Sequence, residues 1–429
     1  MGNRGTVYSK YIKENPNQVE LVAIVEPRDL VRQRVAKEYS IKPEFVFNDW
    51  RRTIEHIKKS RIDADAVVIC VQDRFHLECA TAFAEQKYHM LLEKPLAPTL
   101  EECEQIVEAA ERNKVMLCVC HVMRYSYITQ LTKELVNSGV IGEVINLQHL
   151  EPVGNFHYAH SYVRGNWRRK DESSFMLLTK SCHDVDWICY VMGDKDLSCN
   201  KISSFGSLKH LRRENAPKDS TDRCVTCPAH VENNCAYSAK KIYLEPLVKS
   251  GHTAWPVNVI VSDGSLPDIE NVTKALEEGP YGRCAYKCDN DVVDNQVVNL
   301  EFSDGSTCSF TMIAYTKEIC ERRSLIFGSK GQLEILQGEH KIKYFDFVTR
   351  TSREIDCIEQ WNNVMENPLE TELKGHGYAD WFLMNKFVKA VAENDPSQLL
   401  SDAKESLKTH KLVFQAEESR LKGQVINCV

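Results

Sequence analysis

Strand-like runs alternate with amphipathic helical segments through roughly the first 125 residues, and this rhythm limits the fold more than any other feature of the chain. Residues 19–26 (VELVAIVE), 64–71 (ADAVVICV), 89–92 (HMLL) and 115–120 (VMLCVC) are short and almost continuously aliphatic. Parallel strands covered by helices on both faces need such runs, because neither face meets water. Between them, residues 29–39, 51–60, 77–86 and 100–113 carry apolar side chains three or four apart, the period of a half-buried helix. The alternation predicts an α/β fold with a doubly wound parallel sheet.

Past Cys120 the rhythm changes. A helix over 128–138 stops at Gly139, a strand covers 143–151, and a single long helix is predicted over 174–192. Residues 208–287 are irregular and rich in Cys, Pro, Gly and Asn. Hairpin-like pieces follow at 297–302, 307–314, 323–328, 332–336 and 342–349, the first two joined by Ser303-Asp304-Gly305. Helices over 378–393 and 401–422 close the chain. A chain of 429 residues is too long for one core. We therefore expect two domains: a dinucleotide-type domain over 1–122, and an α+β domain over 123–429 with an open, mostly antiparallel sheet and a Cys-rich insertion over about 208–287.

Composition removes several partners. Fifty-four Lys and Arg against 61 Asp and Glu leave a net charge of −7, so the chain has no general attraction for nucleic acid or anionic membranes. Its longest apolar runs fall far short of the roughly 20 residues that span a bilayer. The 17 cysteines are odd in number, and several (Cys70, Cys118, Cys120, Cys189) sit inside predicted elements as small core hydrophobes. That usage fits a reducing, cytoplasmic setting.

Gly2-Asn3-Arg4-Gly5 opens a helical stretch, and the run that follows it ends in Glu26, about twenty residues past Gly5. In a dinucleotide fold such glycines let the backbone approach a pyrophosphate at a helix N-terminus, and an acid there binds ribose hydroxyls. The spacing matches the last two glycines of G-x-G-x-x-G. The first glycine and the strand before it have no counterpart, so we expect a sheet lacking its first strand, whose neighbours forgo ladder hydrogen bonds on one side.

Glu93-Lys94-Pro95-Leu96-Ala97 follows the run 89–92, at the carboxyl edge where open α/β sheets bind ligands. Taken alone, it reads as a solvated lysine before a loop proline. In order along the chain stand Gly2–Tyr8 (GNRGTVY), Glu26-Pro27-Arg28, Arg124-Tyr125, Ser138–Val144 (SGVIGEV), Lys180–Asp186 (KSCHDVD) and Gly328-Ser329-Lys330-Gly331. This set resembles the glucose–fructose oxidoreductase/inositol dehydrogenase (Gfo/Idh/MocA) family over nearly the whole chain.

The resemblance implies a Rossmann domain and reversible hydride transfer between NAD or NADP and a hydroxyl carbon of a sugar, polyol or related molecule. It also implies a possible homo-oligomer formed through the second sheet. Lys94 matches the lysine of the EKP motif, and His183 the histidine that exchanges the hydroxyl proton. Asp186, three residues on, falls on the same helical side. Glu26 favours NAD, while Arg28 leaves NADP open. The expected cofactor contacts are Gly2, Asn3, Arg4, Gly5, Glu26, Asp73, His76, Glu93 and Lys94, with Asp73 also the expected N-cap of the next helix. The expected substrate contacts are His121 and Arg124 at the domain junction, His157, His160, Arg164 and Trp167 in NFHYAHSYVRGNWR, and Thr179, Lys180 and His183. None is assigned to a metal. Thr179 is a departure, because the family commonly has an acid there and a threonine cannot act as a base.

Two further readings stand beside a dehydrogenase. One is an NAD-assisted glycoside hydrolase of the same family; the other is a non-catalytic binding protein, which the shortened glycine turn and Thr179 allow. Cys224-x-x-Cys227-x7-Cys235, with Cys284 and Cys288 later, is compatible with structural zinc, but reduced cysteines packing the insertion are the preferred reading.

Overall fold

The aliphatic runs form parallel strands, but in two separate pieces. In the computed structural model, which describes residues 1–192, 197–245, 247–364, 371–373 and 375–428, β1 (Ile24–Val25) pairs with β2 (Val46–Phe47). Strands β3 (Ala66–Ile69), β4 (His89–Leu92) and β5 (Leu117–Val119) pair in parallel as a second piece. Among the described residues no ladder joins β1 to β3. The run 19–26 accordingly yields only two strand residues, since it is hydrogen-bonded along one edge alone. β2 escaped the sequence reading because two residues show no period.

Helix Asn3–Glu14 buries Tyr8, Tyr11 and Ile12 against Leu91 of β4 and against Leu383 and Phe387 of helix Ala379–Glu393. The end of the chain thus returns to cover its beginning. The last long helix, Ala403–Lys422, is capped by Asp402, whose side chain accepts from Lys404 and Glu405 N–H.

The second half is a nine-stranded sheet. In chain order its strands are β6 (Val144–Pro152), β7 (Cys199–Ser207), β8 (Asn295–Phe302), β9 (Thr307–Ile313), β10 (Arg323–Gly328), β11 (Gly331–Leu336), β12 (Lys341–Asp346), β13 (Ser352–Asp356) and β14 (Ile426–Asn427). Their spatial order is β13-β12-β11-β10-β6-β9-β8-β7-β14, antiparallel except for the β6–β9 pair. Strict alternation along β8 and β9 buries Val298, Leu300 and Phe310 on one face. The turn before β6 requires glycine: Gly142 has φ +74°, and a Cβ there would lie 2.2 Å from Ser329 Oγ.

The helix expected over 174–192 is broken into Met176–Thr179 and Cys182–Met192. At the break Lys180 turns inward to Glu151, and the Thr179 carbonyl meets Lys94. Among the described residues no helix is long and apolar enough to cross a membrane.

Candidate active site

β4 delivers Glu93-Lys94-Pro95 to the carboxyl edge of the parallel sheet, and two histidines fix that turn. His410 Nε2 accepts the Leu96 N–H at 3.0 Å while its Nδ1 donates to Ser406 O at 2.7 Å, which sets its tautomer. His76, fully buried, places Nδ1 2.9 Å from Pro95 O. His76 therefore holds the loop, where the sequence suggested that it faces the cofactor.

Lys94 Nζ donates to the main-chain oxygen of Thr179 at 2.7 Å. The Thr179 hydroxyl points back along its own helix to Phe175 O at 3.3 Å. The carbonyl at this position thus meets the lysine, and the hydroxyl expected to contact substrate is turned away. His183 begins helix Cys182–Met192 with Nδ1 unpartnered. Burial, reinforced by the Lys94 charge, holds it well below the ordinary histidine value, so its imidazole is neutral. Its ring lies 5.7 Å from that of His121, whose two ring nitrogens also lack hydrogen bonds. Burial lowers His121 to about 3, against the opposing pull of Asp186, whose carboxylate is 3.8 Å away.

Asp186 is clamped by Arg124 at 2.7 and 2.8 Å and by the Thr409 hydroxyl at 3.0 Å. Arg124 is thereby spent on a buried pair and on Leu400 O, away from the substrate role expected of it. Lys180 is committed in the same way. Its Nζ sits 3.0 Å from Glu151 Oε1 and donates to Cys320 Sγ at 3.0 Å. Arg322 joins Glu151 (2.9 Å) to Asp184 (2.6 Å), and His149 Nε2 lies 3.0 Å from the same Asp184 oxygen. Two cations and two carboxylates cancel in this buried network, so Lys180 is not a free anion contact.

The segment 155–168 divides. His157 lies beside Cys320, with Nδ1 3.5 Å from the thiol, and its ring meets Trp255 of the insertion edge-on at 5.1 Å. Trp167 Nε1 donates to Asp73 Oδ2 at 3.1 Å, joined by the Ser173 hydroxyl at 2.9 Å. Asp73 makes no helix cap, contrary to expectation, because its carboxylate spans the two halves of the molecule instead. His160 stacks on Tyr281 at 4.9 Å, and Arg164 is fully buried against Arg283 O and Tyr237 O. Both face the insertion and are not brought to Lys94.

At the other end of the cleft Gly2 is the N-cap of the first helix, and Asn3, Arg4 and Gly5 form its first turn. That turn has no acidic residue, its leading N–H groups have no helical acceptors, and a Cβ on Gly2 would meet nothing within 4 Å. The cradle therefore fits a pyrophosphate. Glu26 accepts from Arg28 at 2.7 and 3.0 Å and from the Met1 amino group at 2.7 Å. Burial works to raise it, but these partners prevail and bring it down to about 2. Arg4 donates to Glu93 (2.7 Å), Asp380 (2.5 Å) and the Tyr8 hydroxyl (2.6 Å), so Arg4 and Glu93 bind each other. Asn258 of the insertion reaches Asn3 Oδ1 at 3.1 Å, closing over the cradle.

A dinucleotide-type sheet whose carboxyl edge presents a lysine to a histidine-bearing second half defines a class of two-domain oxidoreductase. The chain belongs to the Gfo/Idh/MocA family: residues 1–121 match its NAD-binding Rossmann-fold domain and residues 133–427 its C-terminal alpha/beta domain. Among curated proteins it is 26% identical over 200 residues to 2,7-anhydro-N-acetylneuraminate hydratase of Mediterraneibacter gnavus, covering 45% of this chain and 47% of that one. It is 27% identical over 197 residues to myo-inositol 2-dehydrogenase of Thermotoga maritima, covering 46% and 54%. The chain spans about half the length of the curated relatives it matches. The crystal structure of an inositol dehydrogenase homolog complexed with NAD+ from Azotobacter vinelandii shares the fold, with a TM-score of 0.69 at 14% identity over 100% of this chain and 94% of that one.

His410, Cys320 and Trp255 were missed by reasoning from sequence. Each is an isolated residue whose partners lie far away in the chain. The only signal available was a helix-borne histidine, His410, at a position that turns out to be fully buried.

Proposed function

We propose that the chain is an NAD(P)-dependent oxidoreductase acting on a hydroxyl carbon of a sugar, polyol or related small molecule, with NAD preferred. The Lys94–Thr179 bond, with neutral His183 on the next helical turn, carries this reading. Bound nicotinamide supplies the hydride acceptor. Lys94 has two ammonium hydrogens left for a substrate hydroxyl and a cofactor ribose. His183, neutral and with a free Nδ1, takes the hydroxyl proton as the carbonyl forms. Glu26, held ionised, suits ribose hydroxyls and repels a 2′-phosphate. Residues 1–122 hold the cofactor and 123–429 the substrate, in a cytoplasmic setting. Phe205 and Val297, paired across β7 and β8 and 66% and 37% exposed, support a self-association face on the second sheet.

The test is incubation with NAD and a panel of sugars, polyols and glycosides, following both net NADH and free sugar. NADH formation that disappears in His183→Ala supports the dehydrogenase. Sugar release without net NADH supports the hydrolase reading, and binding of NAD with neither product supports a binding protein.

A further inference from the structure

Residues 208–288 contain five of the chain's cysteines, and the fold gathers four of them. Cys224 opens the single turn Cys224–Thr226 and Cys227 follows it, while Cys235 comes just after the short helix Ala229–Glu232. Cys284 is brought in from about fifty residues away by the Arg223–Arg283 bridge and by its N–H bond to Asp222 O at 2.8 Å. The four cysteines line one recess whose interior, about 20 Å³, admits a single atom-sized occupant. Cys288 lies outside it, its Sγ 3.3 Å from Cys284 O.

The charge beside this recess is unbalanced. Arg164 is fully buried, with Nε on Arg283 O at 2.8 Å and one terminal nitrogen on Tyr237 O at 2.6 Å and 3.6 Å from Cys224 Sγ. Its other terminal nitrogen has no hydrogen-bond partner, and the ionisable groups that act on it most are cysteines and Tyr243, with no carboxylate among them. Glu232, the one carboxylate on the recess wall, is taken by Lys240 and the Ser238 hydroxyl. A buried guanidinium without a counter-charge is strongly destabilising, and four neutral thiols cannot supply one. Four thiolates on a divalent ion can, because the assembly carries two net negative charges.

We propose that Cys224, Cys227, Cys235 and Cys284 bind one zinc ion as thiolates, with Arg164 as its buried counter-ion. Among the described residues no three His, Cys, Asp or Glu side chains are already drawn together at metal-holding distance. Binding therefore draws the four thiols together within the recess. In the step, Zn²⁺ displaces four thiol protons to solvent and four S–Zn bonds form, with no change of oxidation state. Cys227 and Cys235 are only partly buried and provide the way in. Arg164 ends the segment that carries His157, so the metal would brace one wall of the cleft without touching substrate. A pair of disulfides would close the same loops but leave Arg164 without its counter-charge.

The experiment is metal analysis of the intact chain, purified without chelator, together with thiol counting. We expect about one zinc per chain and four thiols that react only after chelation. Cys224→Ser and Cys284→Ser should lose the metal, while Cys103→Ser, in the N-terminal half, keeps it. Arg164→Met should weaken retention against a competing chelator by about 10- to 100-fold. Should the serine variants fail to fold, cobalt substitution of the natural chain decides: tetrathiolate absorption bands support the site and their absence overturns it. Metal-free folded chain with all four thiols reactive, or disulfides among them, also overturns it.

Discussion

The Lys94 ammonium donates to the main-chain oxygen of Thr179 at 2.7 Å, tying the loop after β4 to the break in the helix of the second half. A peptide oxygen has no proton to exchange and no charge to neutralise. It fixes the ammonium in place, and the Lys94 charge helps to keep His183 neutral. Lys94→Met should therefore lower kcat/KM by about 10²- to 10³-fold, as loss of one preorganised donor does. Lys94→Arg should recover little, since a planar guanidinium cannot reproduce the point contact. Thr179→Val should retain most activity in steady-state assays, because only the carbonyl is used.

Arg124 and Asp186 form a buried, two-point ion pair at 2.7 and 2.8 Å. Arg124→Met leaves a carboxylate buried with only His121 and Thr409 near it. Urea unfolding should show a loss of about 3–5 kcal/mol. The double variant Arg124→Met/Asp186→Leu should be less destabilised than Arg124→Met alone, which a chevron or equilibrium titration will read directly.

Stability should fall as the solution is acidified from pH 6.5 toward 4.5. Burial holds His121 and His160 at about 3 and His410 at about 4, with His157 and His183 also well below the ordinary value. Unfolded, these groups take up protons near 6.5, so in this window the unfolded chain binds more protons and gains by acidification. Each histidine contributes up to about 1.4 kcal/mol per pH unit there. Asp186 and Asp380 are held below the usual carboxylate range and add their own loss only at lower pH. Melting temperature against pH checks this; a flat profile between 6.5 and 4.5 would count against neutral buried histidines, and His160→Phe should shallow the slope.

His410 accepts the Leu96 N–H two residues past Lys94. In His410→Leu that buried N–H is orphaned, at a cost of about 1–3 kcal/mol, and the EKP turn loses its brace. We expect kcat to fall more than KM rises, with His410→Gln restoring part of both stability and rate because it keeps an acceptor.

How much of this was legible depended on the distance over which each signal acts. The alternation through residue 125, the β4-to-Lys94 edge and the placement of His183 on a helix came from local periodicity and motif order, and all three have counterparts in the structure. The helix over 174–192 read as continuous because its apolar spacing is continuous. Its break comes from Lys94 and Glu151, remote in sequence. Asp73 has the composition of an N-cap, yet Trp167 and Ser173 of the other half claim its carboxylate. Arg164 and His160 share a polar aromatic segment with His157, but His160 stacks on Tyr281 and Arg164 is buried against the Arg283 and Tyr237 carbonyls of the insertion. Side-chain type was readable; the direction each side chain takes was set by packing.

The central claim is that Lys94 and His183 support hydride transfer from a hydroxyl carbon to a nicotinamide. The most direct measurement incubates the chain with NAD and a panel of sugars and polyols deuterated at their hydroxyl carbons, then locates deuterium in the recovered cofactor. The account predicts deuterium on the reduced nicotinamide ring with at least one substrate, and none with Lys94→Met or His183→Ala. NAD binding without deuterium transfer from any member of the panel would contradict it.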